Sequence, residues 1–331
     1  MSEFATLVER IPLGHFWPLP RPTHSDGRER QTGVEIEFSG LAEGDAAEVV
    51  KDLWGGTVNT RAPHDLVVEG GSLGDVQVEL DTALKGQGES PLADKLLDLS
   101  REVVPVEIVT PPLPPSDLPE IDRLMAALNE AGALGSEEGV LLAFGVHLNP
   151  EVASETAEFI VPVVRAFALV EQWLRASDPP DISRRLLPFV DPWPRSFVDR
   201  AAEEGAGWSL SDLRDAYLEL VPSRNHGLDL LPLLEHLFPG EVRAALPEGQ
   251  VKGGRPTWHY RLPETGLGAA DWSFAYEWNR WVLVERIAER PSLLEQLAEA
   301  WAAHRSALTT LRPDWAHDVN GILERADIWE R

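Results

Sequence analysis

The stretch Gly33-Val34-Glu35-Ile36-Glu37-Phe38 alternates apolar and acidic residues with a period of two. Residues i and i+2 of a strand share a face, so Val34, Ile36 and Phe38 make one side apolar while Glu35 and Glu37 point together on the other. At a rise of about 3.3 Å per residue the two acids stand roughly 7 Å apart. Carboxylates that close repel one another unless a cation, a shared proton or water lies between them. Two readings stay open: an amphipathic strand with its acidic side in solvent, or one strand of a site that gathers cations.

The sequence on either side repeats the theme. Val76 to Leu80 and Val104 to Val109 read as strands, and each embeds one acid, Glu79 and Glu107, in a β-branched run. A lone carboxylate there is costly unless it is paired or faces a wet cavity. Several in separate strands therefore indicate a sheet with an acidic face, whose oxygen ligands suit magnesium or manganese better than zinc. Leu66 to Val68 reads as a further short strand, joined to 76–80 by the turn at Gly70 to Gly74, with Glu69 and Glu79 as the two alternatives for the acid this strand pair adds to that face. Val140 to Leu148 reads as another strand, stopped at Pro150, with His147 and Asn149 on one face. A histidine at a strand end serves as a metal ligand or phosphate donor, or is simply satisfied by backbone.

Helical spacing appears over 46–54, 92–103, 156–176, 212–220 and 229–237. Asp117 with Glu120 has the form of a capping box ahead of Ile121, Leu124, Met125 and Leu128, and Gly132 supplies a stop. In 156–176 the stripe Ile160, Val163, Val164, Phe167, Val170, Leu174 marks the buried face. Pro291 and Pro313 cut the sequence after Asp271 into three helical pieces. Residues 1–31 hold Pro12, Pro18, Pro20 and Pro22 and read as an irregular arm; 179–208 is a Pro-rich excursion. Strands come mostly before helices and alternate with them only in part, which predicts an α+β fold with a largely antiparallel sheet.

Of the 331 residues 43% are apolar and 25% charged, the balance of a globular chain. Lys and Arg number 29 against 55 Asp and Glu, a net charge of −26. That argues against a nucleic-acid surface, which needs clustered basic residues, and against adhesion to anionic lipid. With no cysteine there is no disulfide, thiolate metal site, iron–sulfur cluster or cysteine nucleophile. Met1 to Arg10 lacks the apolar core of a signal peptide, and no stretch reaches 18 uncharged apolar residues. The expectation is a cytoplasmic protein. Neither a GxGxxG nor a GxxxxGK[ST] motif is present, and the pairs Gly70-Gly71 and Gly253-Gly254 read as turns.

Cationic groups gather near the C-terminal third. If 257–262 is a strand, His259 and Arg261 share one face and Trp258 and Tyr260 the other. Arg255 and Arg261 carry the fork that clamps phosphoryl oxygens and carboxylates, although in so acidic a chain they equally serve as surface ion pairs. Arg224-Asn225-His226 and Asn279-Arg280 are further polar groupings, the latter among tryptophans that read as helix core.

Taken together, these blocks resemble the amidoligase family, relatives of glutamine synthetase and glutamate–cysteine ligase. The resemblance lies in Gly-Val-Glu-Ile-Glu-Phe (33–38), Val-Glu-Ile-Val-Thr-Pro-Pro-Leu (106–113), Phe-Gly-Val-His-Leu-Asn-Pro (144–150), Asn-His-Gly-Leu-Asp-Leu-Leu-Pro-Leu (225–233), Trp-His-Tyr-Arg-Leu-Pro (258–263) and Glu-Trp-Asn-Arg-Trp-Val (277–282), in the family's order. It implies a curved, mostly antiparallel sheet of the glutamine synthetase catalytic type with helices on its outer face. It also implies an ATP-dependent carboxylate–amine ligase working through an acyl phosphate with Mg2+ or Mn2+. Such phosphoryl transfer needs positioning and charge neutralisation rather than a protein nucleophile.

Carried over by position, Glu35, Glu37, Glu79, Glu107 and His147 would hold metal. His147, Asn149 and Arg224 would meet the nucleotide, and Arg255, Arg261 and His259 would take catalytic roles. His259 stands where glutamine synthetase has a glutamate. The implied layout is one catalytic domain, 1–331: arm 1–31, a sheet-and-helix part 32–176, a helical and Pro-rich excursion 177–256, and a last strand with C-terminal helices 257–331. Substrates would be small-molecule or peptide carboxylates and amines, with no nucleic acid and no membrane. Two other readings are a non-catalytic nucleotide- or metal-binding relative and a metal-dependent hydrolase.

Overall fold

The computed structural model describes residues 10–80, 105–135, 144–178, 190–247, 250, 253–307, 311–326 and 328–329. Strand β1 (Thr32–Phe38) alternates fully buried and half-buried residues along its whole length. Val34, Ile36 and Phe38 have no solvent exposure, each burial contributing about 1.5–3 kcal/mol. The turn from β3 (Asp65–Gly71) to β4 (Gly74–Leu80) falls where the glycines place it, with Gly70 and Gly74 at positive φ. β2 (Thr57–Ala62), β5 (Val106–Val109) and β6 (Val146–Pro150) complete a six-stranded sheet of order β2-β3-β4-β5-β1-β6. Every pairing in it is antiparallel.

The apolar face is covered by α1 (Glu43–Trp54), which packs on β3 and β4, and by α2 (Pro119–Ala131) behind it. A helical layer follows. α3 (Ala157–Ser177) packs against α4 (Arg195–Glu203), α8 (Phe274–Ala288), α9 (Pro291–Ser306) and α10 (Arg312–Arg325). Between α4 and α8 lie α5 (Leu210–Leu220), α6 (Leu231–Leu237) and α7 (Glu241–Ala245). The predicted stripe of α3 is buried, and so are Arg165 and Glu171 on its other side, because helices wrap it all round. Among the described residues no helix is long and apolar enough to cross a membrane.

Several expectations shift. The capping box at Asp117 does not form: a 3-10 turn occupies Pro115–Asp117, and α2 begins at Pro119 with no side-chain cap. Proline at the first helical position has no N–H to cap, so it sets the start. Gly132 ends that helix in the left-handed conformation, as expected. The Pro-rich excursion contains a helix, α4, which starts directly after Pro194. β2 had no sequence signal; it is held by pairing with β3. The 257–262 strand is instead a row of single bridges beside β6, Glu151–Thr257, Leu148–Tyr260 and Gly145–Glu264. Tyr260 is also bridged to Leu228 on its other side. The expected helix at 92–103 and residues 140–143 of the expected strand lie outside the described residues.

The arm enters through α8. Asn279, fully buried, accepts from Trp17 N (2.8 Å) and donates to His15 O (2.7 Å) and Pro12 O (3.3 Å). Arg30 forks onto both oxygens of Glu285 (2.8 and 2.7 Å) and donates to the carbonyl of Glu151 (2.6 Å). Asn279 is therefore a clasp for the arm. Its neighbour Arg280 is sealed among Glu277, Asp178 and the Leu174 carbonyl. The Glu-Trp-Asn-Arg block serves packing rather than the sheet's acidic face.

Candidate functional site

Register sets the site. Glu37 pairs with Glu107 across β1–β5, Glu107 with Glu79 across β5–β4, and Glu79 with Asp65 across β4–β3. Residues directly opposite in a sheet share a face, so four acids form a row across four strands. A second row lies beside it: Glu35 pairs with His147 across β1–β6. The bridging segment beyond β6 brings His259 and Arg261 alongside Asn149 and His147. Its other side, Trp258 and Tyr260, packs on Phe159 and Phe167 of α3 and Trp281 of α8. The alternation read from the sequence holds although the segment is not a regular strand.

His147 is the hub. Its Nδ1 lies 3.0 Å from Glu35 Oε2, and its Nε2 lies 3.7 Å from Glu37 Oε1. Burial alone would raise the Glu35 carboxyl. The hydrogen bond from His147 and the imidazole of His259 outweigh it and hold the group well below the usual carboxylate range. Burial pushes the His147 imidazole down, against the pull of Glu37 and Glu35. A neutral ring beside an ionised Glu35 donates from Nδ1, so its Nε2 lone pair faces the Glu37 carboxylate. The other Glu37 oxygen accepts from Gly145 N (3.0 Å). Asn149 Nδ2 donates to Glu35 Oε1 (3.1 Å).

His259 stands edge-on to His147, ring centroids 5.4 Å apart. Its Nδ1 meets Asp229 Oδ2 at 3.0 Å, and its Nε2 lies 3.8 Å from Glu35 Oε2. Asp229 has no solvent exposure. It accepts as well from Arg224 Nε (3.1 Å) and Leu231 N (2.9 Å). Burial would raise Asp229; His259, Arg224 and Arg261 hold it below its ordinary value. Arg261 donates to the Arg224 carbonyl. Arg255, half exposed, reaches to 3.8 Å from Glu35 Oε1.

Arg224 and Arg255 line a cavity of about 290 Å³ with Leu231, Pro232, Gly253 and Gly254. Gly254 is required there, because a Cβ would stand 2.6 Å from His236 N. That close approach, with the bond from Arg255 N to Pro232 O (2.9 Å), seats Arg255 at the rim.

The donors fit a divalent cation. Two sets of three lie with their ligand atoms within 4.8 Å of one another: Glu35–His147–His259 and Glu37–Glu107–His147. Two ligands of one ion at about 2.1 Å stand about 3.0–3.4 Å apart, close to the 3.7 and 3.8 Å gaps between the facing nitrogen and oxygen atoms here. His259 Nε2 and Asn149 Oδ1 are buried with no hydrogen-bond partner, a cost that a cation relieves.

Of the residues singled out from sequence, the fold brings Glu35, Glu37, Glu107, His147, Asn149, Arg255, His259 and Arg261 together, with Arg224 behind Asp229. Glu79 continues the acid row one strand further, held by Gln77 (2.9 Å), outside both sets of three. Glu69 is exposed and bonded to Asn59 (2.9 Å). His226 faces the Asp191 carbonyl (3.1 Å) instead. The residue that sequence reasoning missed is Asp229. It lies inside the quoted 225–233 block, but it reads there as the start of a helix.

A family model described as "Putative amidoligase enzyme" matches residues 28–283. No curated protein and no solved structure matches the chain.

Proposed function

The chain belongs to the amidoligase family, and on that premise we propose that it is an ATP-dependent ligase joining a small-molecule or peptide carboxylate to an amine. The observation that carries this reading is the convergence of Glu35, Glu37, Glu107 and His147 on one sheet face beside the Arg224–Arg255 cavity. In this reading a substrate carboxylate oxygen attacks the γ-phosphorus of ATP and ADP leaves, giving an acyl phosphate. The amine then attacks the acyl carbon, phosphate departs, and the nitrogen loses a proton. No protein nucleophile is needed, which suits a face built of acids, imidazoles and guanidinium groups.

Glu35, Glu37, Glu107 and His147 would hold Mg2+ or Mn2+, with Glu79 extending the face. The ion, when bound, supplies neutralisation of phosphate charge. Arg255 and Arg261 would steady the transferring oxygens and the carboxylate, and Arg224 and Asn149 would orient the nucleotide. His259 offers an imidazole in place of a carboxylate, so the face carries one negative charge fewer. The open antiparallel sheet, acidic on one side and helix-covered on the other, is read as the glutamine synthetase catalytic type. A cysteine-free chain using ATP is read as a cytoplasmic enzyme.

The test is ADP release with magnesium and a panel of acids and amines. The expectation is release that requires both partners and disappears in Glu37→Gln. ADP formed at the same rate without any amine would replace the ligase reading with simple hydrolysis. No ADP and no binding of ATP would leave the fold without this activity.

A further inference from the structure

The two sets of three differ in chemistry. Glu37–Glu107–His147 offers two carboxylates and one imidazole; Glu35–His147–His259 offers one carboxylate and two imidazoles. Mg2+ prefers oxygen ligands in near-ideal octahedral geometry. Imidazole suits Zn2+, Co2+ and the other borderline ions. The second set, with two nitrogens to one carboxylate, is therefore the poorer magnesium position of the two.

His259 is also prepared as a ligand. Asp229 Oδ2 stands 3.0 Å from His259 Nδ1, and a carboxylate oxygen accepts, so Nδ1 is the donor there and Nε2 is the ring nitrogen turned away from Asp229. That atom is buried, has no hydrogen-bond partner and lies 3.8 Å from Glu35 Oε2. Asp229 is fixed in turn by Arg224 Nε and Leu231 N. A carboxylate behind a histidine fixes its tautomer and ring angle and raises its basicity toward a metal.

We propose that Glu35, His147 and His259 form a nitrogen-rich cation position selective for a borderline transition-metal ion, and that Asp229 is its positioning residue. The inference rests on reading the acidic face as a cation site, but it requires neither ATP nor catalysis. His147 belongs to both sets, so the two positions are coupled: an ion in one constrains the imidazole offered to the other.

The experiment uses EDTA-treated full chain titrated by calorimetry with CoCl2, ZnCl2 or MgCl2 alone, without nucleotide. Because imidazole-containing sites favour cobalt over magnesium in any case, the informative quantity is how each variant changes the ratio. His259→Gln should weaken Co2+ and Zn2+ by about 10–100-fold, remove the visible Co2+ d–d band and change Mg2+ less than about threefold. Glu107→Gln should do the reverse. Asp229→Asn should weaken Co2+ by about 10–100-fold in protein that still melts cooperatively. If the His259 variant weakens all three ions equally, or none, the proposal is overturned. If the Asp229 variant is merely less stable and binds Co2+ as wild type does, its positioning role is overturned.

A measurement on wild type alone covers variants that fail to fold. Histidine 15N NMR should show both His147 and His259 donating from Nδ1, and the His259 Nε2 resonance should move when Zn2+ is added; an unmoved His259 resonance overturns the proposal. Loss of acid- and amine-dependent ADP release with Co2+ binding intact sinks the ligase reading and leaves this one standing.

Discussion

Glu35 and Glu37, two residues apart on β1, meet the same imidazole from opposite sides: His147 Nδ1 is 3.0 Å from Glu35 Oε2, and Nε2 is 3.7 Å from Glu37 Oε1. The first contact is a hydrogen bond. The second sets a lone pair against a carboxylate, a repulsion that costs stability until a cation enters.

Glu37→Gln is therefore expected to leave the metal-free protein as stable as wild type or slightly more so. Wild type should gain about 2.7 kcal/mol at a magnesium concentration 100 times Kd, and the variant should gain nothing measurable. Thermal melts with and without magnesium decide this. Calorimetry should find ATP binding in wild type with magnesium, none in EDTA, and none in the variant under either condition. Equal ATP affinity with and without EDTA would remove the metal bridge.

Arg255 is half exposed and approaches Glu35 only to 3.8 Å. Arg255→Ala should change folding stability by no more than about 0.5 kcal/mol. If it clamps an oxygen anion, its loss removes a charge-assisted hydrogen bond worth about 1.5–3 kcal/mol, or roughly 10–100-fold in kcat/KM. Steady-state kinetics beside a urea melt separate the two effects.

Much of this site was legible in the sequence, and the reasons are local. A period of two placed Glu35 and Glu37 together, and the same parity put His147 with Asn149 and His259 with Arg261. Helix breaks at Pro291 and Pro313 appear as α9 and α10 starting at Pro291 and Arg312. What escaped is non-local. β2 is almost wholly exposed and shows no alternation, so only its partner β3 defines it. Asp229 draws its meaning from Arg224 and His259, the latter 30 residues away. Asn279 and Arg280 looked like a polar site because nothing nearby in sequence reveals the arm and the Asp178 carboxylate that occupy them.

Arg30 and Glu285 are sealed from solvent, with side-chain exposures of 0% and 2%. Removing one partner of such a pair strands a charge: Glu285→Ala should cost about 3–5 kcal/mol. The double replacement Arg30→Met with Glu285→Leu should recover most of that, because a well-packed apolar pair avoids desolvating both ions. Urea denaturation of the two variants tests the difference.

Glu277 is buried, and burial outweighs the Arg280 guanidinium, so its carboxyl is pushed from 4.5 up to about 7. The folded state then holds a proton that the unfolded chain releases at about 4.5. Stability from this group is complete below pH 4.5 and is lost as pH rises toward 7. The stability of wild type minus that of Glu277→Gln should fall by up to about 3 kcal/mol between pH 4.5 and 7.5. Chemical denaturation across that range measures it, and a flat difference would place the proton elsewhere.

The clasp at Asn279 also orders events in time. Trp17 and Asn279 are 262 residues apart, so this part of the arm lacks its clasp while the sheet's own strands are being made. At about 5–20 residues per second on the ribosome, the wait is roughly 13–50 seconds. The arm, made before the sheet and long before α8, is thus among the last parts to be fastened, and until α8 arrives Trp17 and Ile11 lack their place in the core.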